Sequence, residues 1–278
     1  MCGFTRMARL SWNIGKDVSL SMLKKLLWWP YQAWCGFTFV FFVILGFLYA
    51  APIYALFGAK AHRVTFTYYR WWARIWFFIS GIKYRVEGRE HFTEAPAIIV
   101  SNHSSHLDLL NGAGSAPLMV KALAKSSLKK IPFLGFLFST ASVFVDRSSK
   151  ESRERSMAAM LAAVKQGFSL FLFPEGTRNR SPYPLGPFYD GAFRLAVAAG
   201  CPIQPMVILH ARFLMPMKGI SLRPGTIRAV YLPSISTKGL TDKDVPALKA
   251  KVYNDMEAMI RAREKHIFPY PPAVETAQ

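Results

Sequence analysis

The sequence predicts an α/β domain, a mixed and largely parallel sheet flanked by helices, standing behind an N-terminal membrane-embedded helical segment. Three observations predict it. After Gly81, short apolar runs alternate with longer stretches of helical periodicity, and strands alternating with helices imply crossover connections and a parallel sheet. Residues 26–59 form 34 consecutive positions without a formal charge, more than the roughly 20 apolar residues a spanning helix needs. The 278-residue chain is 52% hydrophobic and 14% aromatic, with only 18% charged residues, against about 25% in soluble domains.

The N-terminal segment comes first. As one straight helix, residues 26–59 would run about 50 Å, against a hydrocarbon layer of about 30 Å, yet two full spans would need more residues. A cleaved signal peptide is a poor reading, because the run starts late and is too long. Arg6, Arg9, Lys16, Lys24 and Lys25 precede the run, and Lys60, Arg63, Arg70 and Arg74 follow it. Positive charge stays on the cytoplasmic side, so both ends belong there. The preferred arrangement is therefore a helical hairpin dipping into one leaflet, bent near Gly46 or Pro52, with a single tilted span as competitor. Residues 64–82 combine Trp71, Trp72, Trp76, Phe77 and Phe78 with Arg70 and Arg74. That is the composition of a helix at the headgroup boundary, and equally of an amphipathic core helix.

Beyond this point residues 97–101, 143–145, 169–173, 203–209 and 226–232 read as buried strands. Residues 107–118, 150–166, 191–199 and 248–265 read as helices, the second opening with charged residues and closing at Gly167. The expected organisation is a membrane-associated region over 1–82, a globular domain over 83–267 and a loose tail over 268–278 that carries Pro269, Pro271 and Pro272. Ligand sites in such sheets gather at the loops after the strand carboxyl ends.

The charge balance, 35 Lys and Arg against 16 Asp and Glu for a formal +19, seeks anions. Nucleic acid and anionic lipid headgroups both satisfy that field, and the apolar segments favour lipid. Cys2, Cys35 and Cys201 are odd in number and far apart, so neither a disulfide framework nor a zinc site is suggested.

The first chemically informative stretch is Asn102-His103-Ser104-Ser105-His106-Leu107-Asp108, directly after an expected strand. In a regular helix five residues turn by about 500°, leaving the two side chains about 140° apart. For His103 and Asp108 to meet, His103 must sit in the turn and Asp108 in the first turns of the following helix. Paired so, Asp108 fixes the imidazole tautomer and stabilises the imidazolium formed when the other nitrogen takes a proton. The acceptor's own hydroxyl is then the nucleophile. The second stretch, Phe173-Pro174-Glu175-Gly176-Thr177-Arg178, follows another expected strand. Gly176 permits close backbone approach and Arg178 offers a planar fork for phosphate oxygens.

With these residues on the page, the chain resembles the lysophospholipid acyltransferase family (a glycerolipid acyltransferase-like fold), and within it the bacterial 1-acyl-glycerol-3-phosphate acyltransferases. The family's His, four residues, Asp motif is matched by His103 and Asp108, and its apolar run ending in Asp-Arg by Val143-Phe144-Val145-Asp146-Arg147. Pro-Glu-Gly-Thr-Arg is matched by residues 174–178, and a fourth apolar motif with two prolines by Cys201-Pro202-Ile203-Gln204-Pro205-Met206. Lys125 matches loosely a basic residue placed before the second motif. A His-Asp pair alone is more often structural than catalytic; the ordered set reverses that weighting.

The resemblance implies acyl transfer from acyl-CoA or acyl carrier protein, as co-substrate and without a cofactor, to the sn-2 hydroxyl of lysophosphatidic acid, giving phosphatidic acid. His103 would be the general base and Asp108 its orienting partner. Glu175, Gly176, Thr177 and Arg178, with Arg147 and Lys125, would hold the acceptor's phosphate, and a basic loop at 121–130 would add charge at the site mouth. No metal and no nucleic acid enter this reading. It places the protein at the cytoplasmic membrane, on an anionic surface, with the catalytic domain facing the cytoplasm. Another lysolipid or glycerol 3-phosphate is the alternative acceptor. Two rival classes are a metal-dependent hydrolase using His103, His106, Asp108 and Glu175, and a non-enzymatic membrane-surface or nucleic-acid-binding protein suggested by the charge alone.

Overall fold

The computed structural model describes residues 4–92, 96–116, 120–146, 149–216, 221–266 and 269–272. The chain divides into two compact units, Met1–Phe41 and Phe42–Gln278. The described part of the first is helical throughout, its residues belonging to α1 (Phe4–Phe57), and Leu26, Trp29, Trp34 and Phe37 are exposed.

Helix α1 corrects the hairpin expectation. It continues through Gly46 and Pro52 without a break, and the reversal falls instead in a 3-10 turn at Gly58–Ala61, where Gly58 has a φ of +52° that a side-chain-free residue adopts readily. Helix α2 (His62–Ile79) then returns along residues 42–57, with the Tyr68 hydroxyl donating to the Phe42 carbonyl at 2.7 Å and Tyr49 stacking on Tyr68. Gly46 serves this contact rather than a bend, since a Cβ there would stand 2.7 Å from the Tyr68 ring. Within α1, Trp28–Phe57 is long and apolar enough to cross a membrane.

Helix α2 has one buried face and one exposed apolar face. Phe66, Tyr69, Trp72, Ala73, Trp76 and Phe77 are buried while Val64, Trp71, Ile75 and Phe78 are exposed. The buried face packs on the globular domain, so the compact unit begins at Phe42 rather than at residue 83.

The sheet has seven strands, β1 (Ile82–Glu87), β2 (Ile98–Ser101), β3 (Val120–Lys125), β4 (Ser142–Val145), β5 (Ser169–Leu172), β6 (Ile203–Leu209) and β7 (Gly225–Tyr231), in the order β1-β7-β6-β2-β5-β3-β4. Every neighbouring pair is parallel except β6 with β7. Strands β2 to β6 therefore end at one edge. Helices α3 (Leu107–Ser115), α4 (Leu134–Ala141), α5 (Lys150–Lys165), α6 (Gly191–Ala199), α7 (Ala211–Leu214) and α8 (Val245–Glu264) complete the unit. Ile98, Val100, Leu170 and Leu172 meet Val164 of α5, Phe193 of α6 and Val252, Met256 and Ile260 of α8 in one buried cluster.

Three sequence expectations shift. Helix α3 ends at Ser115 instead of residue 118, because Ala116 precedes a proline and such a residue is pushed out of the helical region. Helix α8 begins at Val245, before residue 248, with proline in its first turn, where the missing N–H costs nothing. The stretch 121–130 is not a loop: it comprises most of β3 and a 3-10 helix at Ser126–Lys130.

Candidate active site

The His103 turn leaves the sheet early and is fastened to it by a side chain. Strand β2 ends at Ser101, and the next residue, buried Asn102, donates from Nδ2 to the Ile208 carbonyl at 2.9 Å while its Oδ1 accepts from the Ile208 N–H at 2.7 Å. The chain can then turn sharply into α3, which starts at Leu107 and carries Asp108 in its first turn.

This brings His103 Nδ1 to 2.8 Å from Asp108 Oδ2. Asp108 is fully buried, and the same oxygen accepts from the Ser104 and Ser105 backbone N–H groups at 2.6 and 2.7 Å. That oxygen acts as an acceptor towards three donors at once. The Nδ1–H of His103 therefore donates to Asp108, which leaves Nε2 free as the proton acceptor. The ring lies flat on Phe173, centroids 4.0 Å apart and planes 12° apart, and Phe173 meets Phe171 edge-on. A carboxylate at one edge and an aromatic wall on one face hold the imidazole in place.

Glu175 is also drawn into this scaffold. Its carboxylate accepts the His103 N–H at 2.8 Å through Oε1 and the Gly186 N–H at 2.8 Å through Oε2, and it is buried. That corrects its expected place among phosphate contacts: a buried carboxylate repels a phosphate, and both its oxygens are already used. Gly186 is required here, because a Cβ would come 2.8 Å from Oε2. Burial pushes the Glu175 carboxyl up to about 7, against the lowering effect of the two N–H bonds, with nearby Asp108 adding to the rise. The Asn179 N–H closes the frame by donating to the His103 carbonyl at 2.6 Å.

The rest of the second motif faces outward. Gly176, with φ +69°, turns the chain, and Gly176 and Thr177 are exposed. Arg178 Nη1 lies 2.8 Å from His106 Nδ1 and also contacts Nε2 of that exposed ring. Burial, then the neighbouring Arg178 and His103, lower the His106 pKa, which favours the neutral ring, the form that can offer the guanidinium a lone pair. The guanidinium thus rests on the exposed His106 ring at the start of α3, Arg178 itself being half-buried.

The remaining site expectations separate. Lys125 ends β3 with its side chain exposed; β5 intervenes between β3 and β2, placing it about 10 Å across the sheet from His103. Arg147 lies outside the described residues. The preceding Asp146 follows edge strand β4, its backbone tied to Ser156 of α5. As for the hydrolase alternative, among the described residues no group of three or more His, Cys, Asp or Glu could hold a metal ion. The fourth motif opens β6, where Pro202 accepts from Ile98, and is structural. Sequence reading missed Asn102, Phe173, Asn179 and Gly186. Only the Asn directly before the His gave a signal, a polar residue at the end of a buried strand.

A family model described as Acyltransferase matches residues 83–209. The 1-acyl-sn-glycerol-3-phosphate acyltransferase alpha of Mus musculus is 35% identical over 188 residues, 66% of this chain and 66% of that protein. The 1-acyl-sn-glycerol-3-phosphate acyltransferase of Saccharomyces cerevisiae is 34% identical over 179 residues, 63% of this chain and 59% of that protein. The chain thus spans less than two thirds of the length of these curated relatives. The crystal structure of the 1-acyl-sn-glycerophosphate (LPA) acyltransferase PlsC from Thermotoga maritima shares the fold, with a TM-score of 0.64 at 22% identity over 79% of this chain and 94% of that one.

Proposed function

We propose that this chain, which belongs to the acyltransferase family, transfers a fatty acyl group from an acyl-CoA or acyl carrier protein thioester to the sn-2 hydroxyl of lysophosphatidic acid. The product is phosphatidic acid, and the relatives' names supply the substrate class. One observation carries the chemistry: His103 Nδ1 is held 2.8 Å from a buried carboxylate that two backbone N–H groups also grip.

In this mechanism the acceptor hydroxyl approaches His103 Nε2. As the oxygen attacks the thioester carbonyl, its proton passes to Nε2 and Asp108 stabilises the imidazolium. The tetrahedral intermediate collapses, the C–S bond breaks as the ester C–O bond is kept, and the imidazolium returns the proton to the leaving thiolate. No protein nucleophile is acylated. Arg178 pairs with the acceptor phosphate through its planar fork, with the backbone of Gly176 and Thr177 alongside, and Lys125 and Arg147 add positive charge. Glu175 positions the base and does not bind substrate.

The apolar segment Trp28–Phe57 attaches the enzyme to the cytoplasmic membrane with the catalytic unit on the cytoplasmic side, in keeping with the basic flanks. An acceptor already carrying one acyl chain then reaches the site from the leaflet.

Conversion of labelled lysophosphatidic acid and acyl-CoA by the purified full chain is the direct test. His103→Ala should lower the rate by at least about 10², the usual contribution of a general base. A variant that keeps the wild-type rate would overturn the mechanism. Running the assay with other lysolipids, glycerol 3-phosphate and an acyl carrier protein donor assigns acceptor and donor.

A further inference from the structure

Helix α2 carries a second apolar face that the globular domain leaves uncovered. Val64, Trp71, Ile75 and Phe78 are exposed and spaced by seven, four and three residues, so they form one stripe. Between this stripe and edge strand β1 opens a cleft of about 660 Å³ lined by Arg74, Phe78, Lys83, Tyr84, Arg85 and Arg89 among others. A smaller hollow of about 180 Å³, lined by Thr67, Arg70, Trp71 and Arg74, adjoins it through the shared Arg74. Every charged residue lining the two is a cation.

Among the described residues these cations form no ion pair. No carboxylate of the described residues lies within salt-bridge distance of Arg70, Arg74 or Arg89. Glu87 is already shared by Arg228 and Arg263, and Glu90, next to Arg89 in the chain, lies 4.0 Å from His91 instead. Arg74 Nε donates to the Gly114 carbonyl at 3.0 Å, but its Nη2 is buried without a partner. The three guanidiniums are close enough to feel one another: burial, then Arg74 and Arg89, makes the charged form of Arg70 harder to hold. Gathering like charges around a buried, unused donor is costly unless an anion joins them.

We propose that this cleft binds the phosphate of an anionic bilayer phospholipid, with the lipid's acyl chains lying along Trp71, Ile75 and Phe78. A soluble anion would satisfy the arginines but not the stripe beside them. A membrane lipid satisfies both, since interfacial aromatic and basic side chains divide in this way between tails and headgroups. The site is separate from the catalytic one, because its lining includes none of His103, Asp108, Glu175 or Arg178. It rests on the reading of the chain as a membrane enzyme, and it adds a lipid that is bound without being consumed.

The test uses the full chain in neutral detergent micelles, with labelled phosphatidylglycerol and phosphatidylcholine of identical acyl chains as probes. Wild type should prefer phosphatidylglycerol, and the double variant Arg70→Gln with Arg89→Gln should lose at least about tenfold of that affinity, because each substitution removes a charge-assisted contact. Phosphatidylcholine binding should not change. These two arginines are chosen because the Arg74 hydrogen bond to Gly114 supports the fold, and the variant's acyl-transfer rate on lysophosphatidic acid in neutral micelles checks that it folds. Equal phosphatidylglycerol binding by variant and wild type would overturn the site. Complete displacement by inorganic phosphate at the concentration where phosphate alone saturates the cleft would overturn the lipid assignment. Flotation with neutral phosphatidylcholine vesicles examines attachment on its own: a wild type that fails to float sinks the membrane reading, whereas a chain that floats yet binds both lipids alike sinks only this site.

Discussion

The two halves of the proposed active site are built in opposite ways. The base half is interior: Asp108, Glu175 and Asn102 are all buried, and each is engaged by backbone groups. The acceptor half is exterior, with Gly176, Thr177 and His106 exposed and Arg178 resting on an imidazole rather than on an acid. Proton transfer requires reacting atoms about 3 Å apart in fixed orientation, so its apparatus gains from rigid support. A phosphate-binding arginine must release whatever holds it before the ligand arrives. A neutral ring lets go of a guanidinium more cheaply than a carboxylate would, because only a hydrogen bond is exchanged and not an ion pair.

If the contrast is right, damage to the buried half should show in kcat and damage to the open half in KM. The largest effect is expected for Asp108→Asn. The amide oxygen can take the place of the carboxylate oxygen that meets His103, Ser104 and Ser105, but it carries no charge to stabilise the imidazolium. Loss of that charge should cost about 10² to 10⁴ in kcat with little change in acceptor KM. A rise confined to KM would erase the distinction between the halves.

Next comes Glu175→Gln, which can accept only one of the two N–H groups now bound. Stranding the other in the interior should lower stability by about 1–3 kcal/mol and reduce kcat through a displaced His103. The wild-type pH dependence sharpens the point. With a folded pKa of about 7, above the unfolded value of about 4.3, the folded chain holds this proton more tightly. Glu175 thus contributes stability that is full below about pH 4 and is lost as pH climbs through about 7. Denaturant midpoints across that window should fall for wild type and lose this component in the glutamine variant.

The smallest effect on the protein itself belongs to Arg178→Ala. It should raise the acceptor KM by about tenfold, the scale of one charge-assisted contact, leave kcat nearly intact and shift stability by no more than about 0.5 kcal/mol. Unchanged acceptor saturation would remove Arg178 from the binding half.

The same contrast governs what could be read from the amino-acid order. Strand β6 falls at the expected residues 203–209 and helix α6 at 191–199, because a fully buried strand and a strongly periodic helix announce themselves. Strands β1 and β3 did not. In β1 exposed Lys83 and Arg85 alternate with Ile82, Tyr84 and Val86, and the run follows directly on α2. In β3, Lys121 and Lys125 made a strand look like a charged loop, although Lys121 sends its ammonium over the Phe168 ring at 4.3 Å. Long cations can lay their stems on apolar surface and so disguise a strand. Within the site, the spacing of His103 and Asp108 already demanded a turn followed by a helix. The inward role of Glu175 was hidden, since its partners are backbone N–H groups, one of them in a glycine eleven residues onward, and a backbone donor leaves no trace in residue type.

Asn102 has a further consequence. By offering a donor and an acceptor to the two backbone groups of Ile208, its amide impersonates the peptide unit that the neighbouring strand lacks once the polypeptide has veered away. The sheet loses nothing at the place where its covalent backbone departs. Few side chains can play that part: Asp would set a negative oxygen against the Ile208 carbonyl, and Leu would abandon both groups. The choice of residue beside the imidazole is thereby dictated by the architecture of a strand it does not belong to.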